Sequence, residues 1–155
     1  MALLGTSLVW DVIGIWRAEP LWWAISYWNV VLGLALAVVA ATAGAVDYAA
    51  IEQDHPALAT GIRHMLYMLG AIGVYTISLV VRGGTAPPTG TSRIAVLFIE
   101  GVGLVLLSVG GWYGGHLVFR YGIGRDEVEG VSGTTAQPRS RSSGLRYGAS
   151  DKGLK

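Results

Sequence analysis

WWAISYWNVVLGLALAVVAATAGAV, residues 22–46, runs for 25 positions without one formal charge. As a helix it reaches about 37 Å, more than the ~30 Å hydrocarbon core of a bilayer. A strand reading fails, because the run lacks period-two alternation and a lone sheet edge cannot face lipid. Two more runs behave alike. MLYMLGAIGVYTISLVV (65–81) is uncharged over 17 residues and is flanked by Arg63 and Arg82, whose long stems can carry their charge to the interfaces. The run 94–119 has Glu100 as its single formal charge, with His116 near its end.

The N-terminal segment is shorter. Residues 2–16 are apolar or small except for Thr6, Ser7 and Asp11, and as a helix they reach only about 22 Å. A shortened first span and an interfacial segment both fit. Loops fall at 17–21 (with Pro20), at 48–63 and at 82–93, the last reading RGGTAPPTGTSR, a Gly/Pro/Thr stretch that cannot continue a helix. The expected fold is an all-α integral membrane bundle of four helices, or three if the first does not cross. The helices fall near 2–16, 22–46, 65–81 and 94–119 within a domain 1–124. Residues 125–155 turn to Gly, Ser, Arg and Thr, a composition that reads as a disordered tail.

Composition agrees with that layout. Hydrophobic residues make up 52% of the 155, and only 14% are charged, where a soluble domain carries about a quarter. Ten of the 21 charged residues lie from Arg125 onward. A net charge of +1 supplies no basic field for nucleic acid. The absence of cysteine excludes disulfides, thiolate nucleophiles, cysteine-ligated zinc and all-cysteine iron–sulfur clusters. Residues 1–8 carry no Lys or Arg, so a cleaved secretory signal with a basic start is not expected. With four crossings, eight Lys and Arg share the side of the tail against three (Arg17, Arg82, Arg93) opposite, which predicts a multi-pass cell-membrane protein with a cytoplasmic tail. Trp16, Trp22, Trp23, Tyr27 and Trp28 at one face, with Trp112, Tyr113 and Tyr121 at the other, fit interfacial belts.

Small residues predict how the helices pack, since close backbone approach replaces hydrophobic burial in lipid. Gly33, Ala37, Ala40, Ala41 and Gly44 form one stripe on the second helix; Gly103, Gly110 and Gly114 form another on the last. The expected tightest contact joins these two helices.

SLVWDVIGIW (7–16), YWNVVLGLALAVVAATAGAVDYAAI (27–51), HMLYMLGA (64–71) and GGWYGGHLVFRYGIG (110–124) together resemble a family of small bacterial four-helix membrane proteins of unknown function, some joined to Rieske iron–sulfur domains. The matching positions are Gly44, Asp47 and Tyr48, then His64, then Gly111, Trp112, Gly114, Gly115, Leu117, Val118, Arg120, Gly122 and Gly124. The resemblance covers about residues 5–124 and implies that the first segment is a short span. Members usually carry His-Pro and His-Phe-Pro before the first helix, and at His116 they more often show an acidic residue.

Two groups of ionisable residues are candidate sites. Asp47, Tyr48, His64, His116 and Arg120 share a membrane level by topology, either as a functional mouth or as interfacial residues pairing with each other, Asp47 with His64 for example. A b-type haem between His64 and His116 is the sharp version, although His116 lies about 220° around the helix from Gly103, off the small-residue stripe. Asp11 and Glu100 are carboxylates inside predicted spans, with Arg93 seven residues before Glu100 as its expected partner and no polar stripe accompanying them. Enzyme motifs fail: Leu106 and Glu127 stand where dinucleotide patterns starting at Gly101 and Gly122 need a third glycine, and no Gly-x-Ser-x-Gly or His-Glu-x-x-His occurs. The expectation is a non-enzymatic component of a membrane complex, with or without a redox partner or a second copy of itself, and no resident cofactor. The alternatives are a haem-binding electron-transfer subunit and a small proton-coupled carrier.

Overall fold

The computed structural model describes residues 1–51 and 54–123. Four helices follow one another: α1 Ala2–Arg17, α2 Pro20–Ala49, α3 Ala57–Arg82 and α4 Gly90–Tyr121. There is no strand among the described residues. The last three, at 30, 26 and 32 residues, are long and apolar enough to cross a membrane. At 16 residues α1 reaches about 24 Å, short of a full hydrocarbon core. The tail expected at 125–155 lies outside the described residues.

Local chemistry sets the ends. Ala18 turns left-handed (φ 56°) to stop α1, and Pro20, which needs no amide donor, opens α2. The loop expected at 48–63 contracts to residues 50–56. Pro56 precedes the first turn of α3, and the His55 ring nitrogen Nδ1 accepts the Ala57 amide at 3.1 Å, satisfying an otherwise orphaned donor. Gly83 (φ 68°) and Gly122 (φ 70°) terminate α3 and α4, conformations that glycine adopts without steric cost.

Burial follows a three–four rhythm. The inward positions are Leu4, Ser7, Asp11 and Gly14 on α1, and Trp23, Ser26, Val30, Gly33 and Ala37 on α2. On α4 they are Val96, Glu100, Gly103, Leu107 and Gly110. That spacing puts the buried residues of each helix on one face. Leu36, Val39, Val80, Phe98 and Phe119 are exposed, as side chains facing lipid would be.

The partners of the stripes differ from expectation. α3 packs along α4 and α1 along α2, with lesser α2–α3 and α1–α4 contacts and none of substance between α2 and α4. A Cβ at Gly33 would meet the Leu4 side chain at 2.7 Å, and one at Gly103 the Tyr75 ring at 2.6 Å. Gly110 and Gly114 are occupied by Met68 and His64. Each glycine row thus receives bulky side chains of α1 or α3. Ala40, Ala41 and Gly44 lie beyond the buried run of α2, which ends at Ala37.

Candidate functional site

Asp11 and Glu100 are fully buried, and the guanidinium that joins them belongs to Arg82. Arg82 is the last residue of α3, yet its side chain turns inward rather than reaching for the interface. Its Nη1 donates to Asp11 Oδ1 at 2.9 Å while Nη2 donates to Asp11 Oδ2, a two-pronged pair. Nη2 also donates to Glu100 Oε1 at 2.6 Å. Hydroxyls complete the shell: Ser78 donates to Glu100 Oε1 at 2.9 Å, and Ser7 lies 2.8 Å from Glu100 Oε2. Ser26 of α2 donates to the Ser7 carbonyl at 2.9 Å. All four helices therefore meet at one ionic cluster, and all four carboxylate oxygens have a partner.

The expected Arg93–Glu100 pair does not form. Glu100 points into the interhelical space that Arg82 enters, whereas Arg93 Nε donates to the Pro88 carbonyl at 3.0 Å and its guanidinium lies 5.9 Å from the Trp23 ring. Arg82 approaches the same indole at 5.8 Å, so two cations share one π-system. Trp23 is buried and belongs to this cluster, not to an interfacial belt. Gly14 makes room for it, since a Cβ there would lie 2.8 Å from the indole nitrogen. Tyr75, also fully buried, lies flat on Gly103. Its hydroxyl and Arg82 Nε are the two buried side-chain polar atoms without a hydrogen-bond partner among the described residues.

The second candidate group is divided by the structure. Asp47, Tyr48 and His64 line one cavity of about 450 Å³ between α2, α3 and α4. The Tyr48 ring rests on Gly61 and the His64 ring on Gly114. His64 bonds through Nδ1 to the Gly110 carbonyl at 2.8 Å, not to Asp47. His116 and Arg120 lie on another face of α4 with Trp112 and Phe119, and the His116 ring bonds to the Trp112 carbonyl one turn back. The two histidines share no cavity, so a haem held by this pair does not fit the arrangement. No group of three or more His, Asp or Glu suited to a metal ion occurs among the described residues.

Arg82, Ser7, Ser26, Ser78, Tyr75 and Trp23 are the members of the ionic cluster that the sequence reading passed over. A signal was present. Ser7 precedes Asp11 by four residues and Ser78 precedes Arg82 by four, a spacing that puts each pair on one helix face. The polar stripe is distributed over all four helices, with Ser7 and Asp11 on α1, Ser26 on α2, Ser78 and Arg82 on α3 and Glu100 on α4.

A short helical bundle with three membrane-length helices and charges paired in its interior defines a class: small polytopic membrane proteins. Within it, the family model described as "Predicted membrane protein (DUF2231)" matches residues 1–127, and the chain belongs to that family. No curated protein and no solved structure matches it.

Proposed function

We propose that the protein is a non-enzymatic component of a membrane complex, and that Asp11, Arg82 and Glu100 form an intramembrane clasp that holds its four helices in one fixed arrangement. A protein partner on each of the four carboxylate oxygens, supplied by Arg82, Ser7 and Ser78, carries this reading. A carboxylate that works on a substrate must present an atom to it, whereas these are spent on neighbouring helices. Exposed apolar faces on every helix leave the outside of the bundle to lipid and to partners within the bilayer, with the tail on the cytoplasmic side.

One observation favours a second reading. Two carboxylates share a single guanidinium, so full ionisation leaves an uncompensated negative charge, a costly state in a low dielectric. A proton exchanged there would make the protein a carrier. Vesicles containing the protein and a trapped pH-sensitive dye separate the two. The clasp gives proton leak equal to empty vesicles, together with a featureless reduced-minus-oxidised visible spectrum of the purified protein. Leak that Glu100→Gln abolishes would establish the carrier instead, and a haem band lost in His64→Ala would make the protein an electron-transfer subunit.

A further inference from the structure

Toward the α4 C-terminal end of the bundle, two neighbouring cavities share Gly44, His64 and Met65 in their walls, and we read them as two compartments of one groove. One, of about 240 Å³, is lined by aliphatic side chains and methionines such as Ala41, Met68 and Ile72. The other, of about 450 Å³, brings in Asp47 and Tyr48. His64 stands at their junction. Its Nδ1 faces the Gly110 carbonyl, which can only accept, so in the neutral ring Nδ1 carries the hydrogen and Nε2 is a bare acceptor. Gly114 lets the ring lie against α4, because a Cβ there would be 3.0 Å from the imidazole. The ring is thus fixed in tautomer and position, and its accepting nitrogen has no hydrogen-bond partner among the described residues.

We infer that this groove binds a neutral amphiphile whose head donates a hydroxyl, the hydroxyl meeting His64 Nε2 and the apolar chain lying along Ala41, Met68 and Ile72. The polarity of the walls selects this class. His64 and Asp47 offer acceptors and Tyr48 a phenol, while no Lys or Arg lines the head compartment among the described residues. A phosphate head would find no cation there, and a head without a donor would leave Nε2 unmatched. An isoprenoid quinol and a diacylglycerol both have the required chemistry. The inference is independent of the clasp, which involves none of these residues.

Carbethoxylation by diethyl pyrocarbonate reads the site directly, because the reagent acylates an uncommitted imidazole nitrogen. The full chain in nanodiscs would be treated with it alone, then with decylubiquinol, dioctanoylglycerol or phosphatidylglycerol, and His55, His64 and His116 followed separately by peptide mass spectrometry. Decylubiquinol, dioctanoylglycerol or both should slow His64 several-fold, and whichever protects names the source. His116 should be unchanged and phosphatidylglycerol without effect. Ala41→Phe, which fills the apolar compartment at an exposed position, should remove the protection without lowering the melting temperature. Equal His64 rates under all conditions, equal protection by phosphatidylglycerol, protection that survives Ala41→Phe, or a His64 inert to the reagent would each overturn the assignment.

Discussion

At the scale of single residues, two glycines show how position decides consequence. Gly103 is the floor beneath Tyr75, and a methyl group there would lie 2.6 Å from the ring. Tyr75 is fully buried, so the ring has little room to yield, and overpacking of this kind costs about 1–3 kcal/mol. Gly73, on α3, has nothing within 4 Å of an added Cβ. Gly103→Ala should therefore lower the melting temperature in detergent, whereas Gly73→Ala should leave it unchanged or raise it slightly through better helix propensity. Equal effects would mean that Tyr75 does not rest on Gly103. Both glycines were plain in the sequence as helix residues, but their difference was not. It depends on which helix lies opposite, and a single-helix pattern cannot encode that.

At the scale of elements, the existence and order of the helices were legible because the three long runs are apolar for 17 to 26 residues and hold Glu100 as their single formal charge. Their ends were not. α2 runs past Asp47 and α3 starts before Arg63, since a helix entering the headgroup region tolerates the charges that appear to end it. Pairing was also hidden. Two small-residue stripes suggested an α2–α4 contact, whereas Gly33 receives Leu4 of α1 and Gly103 receives Tyr75 of α3. The absence of cysteine makes this testable without background. Leu4→Cys with Gly33→Cys should cross-link on mild oxidation, because a Cβ at Gly33 would lie 3.3 Å from the Leu4 backbone nitrogen, close enough for disulfide geometry. Gly33→Cys with Gly103→Cys should stay reduced. The opposite pattern would restore the α2–α4 seam.

At the scale of the whole molecule, the ionic cluster explains how a 16-residue α1 is held among longer neighbours. Leu4 and Val30 bury well, but apolar burial discriminates weakly in lipid. Asp11 bonded to Arg82, and Ser7 in contact with both Glu100 and Ser26, tie α1 to the other three helices through groups that lipid cannot satisfy. The two acids were visible in the sequence as anomalies within apolar runs. Their cation was not, because Arg82 ends an uncharged run and reads as an interfacial anchor until α3 and α4 are placed side by side.

Thermal unfolding in detergent of Arg82→Met beside the triple variant Asp11→Asn/Arg82→Met/Glu100→Gln measures what the clasp contributes. Removing only the cation leaves two buried carboxylates facing each other, a loss of about 3–5 kcal/mol for a broken buried pair. Neutralising all three removes the charge along with its partner, so the triple variant should recover most of the lost stability. An Arg82→Met protein as stable as wild type, or a triple variant no better than the single one, would contradict a clasp at the centre of this fold.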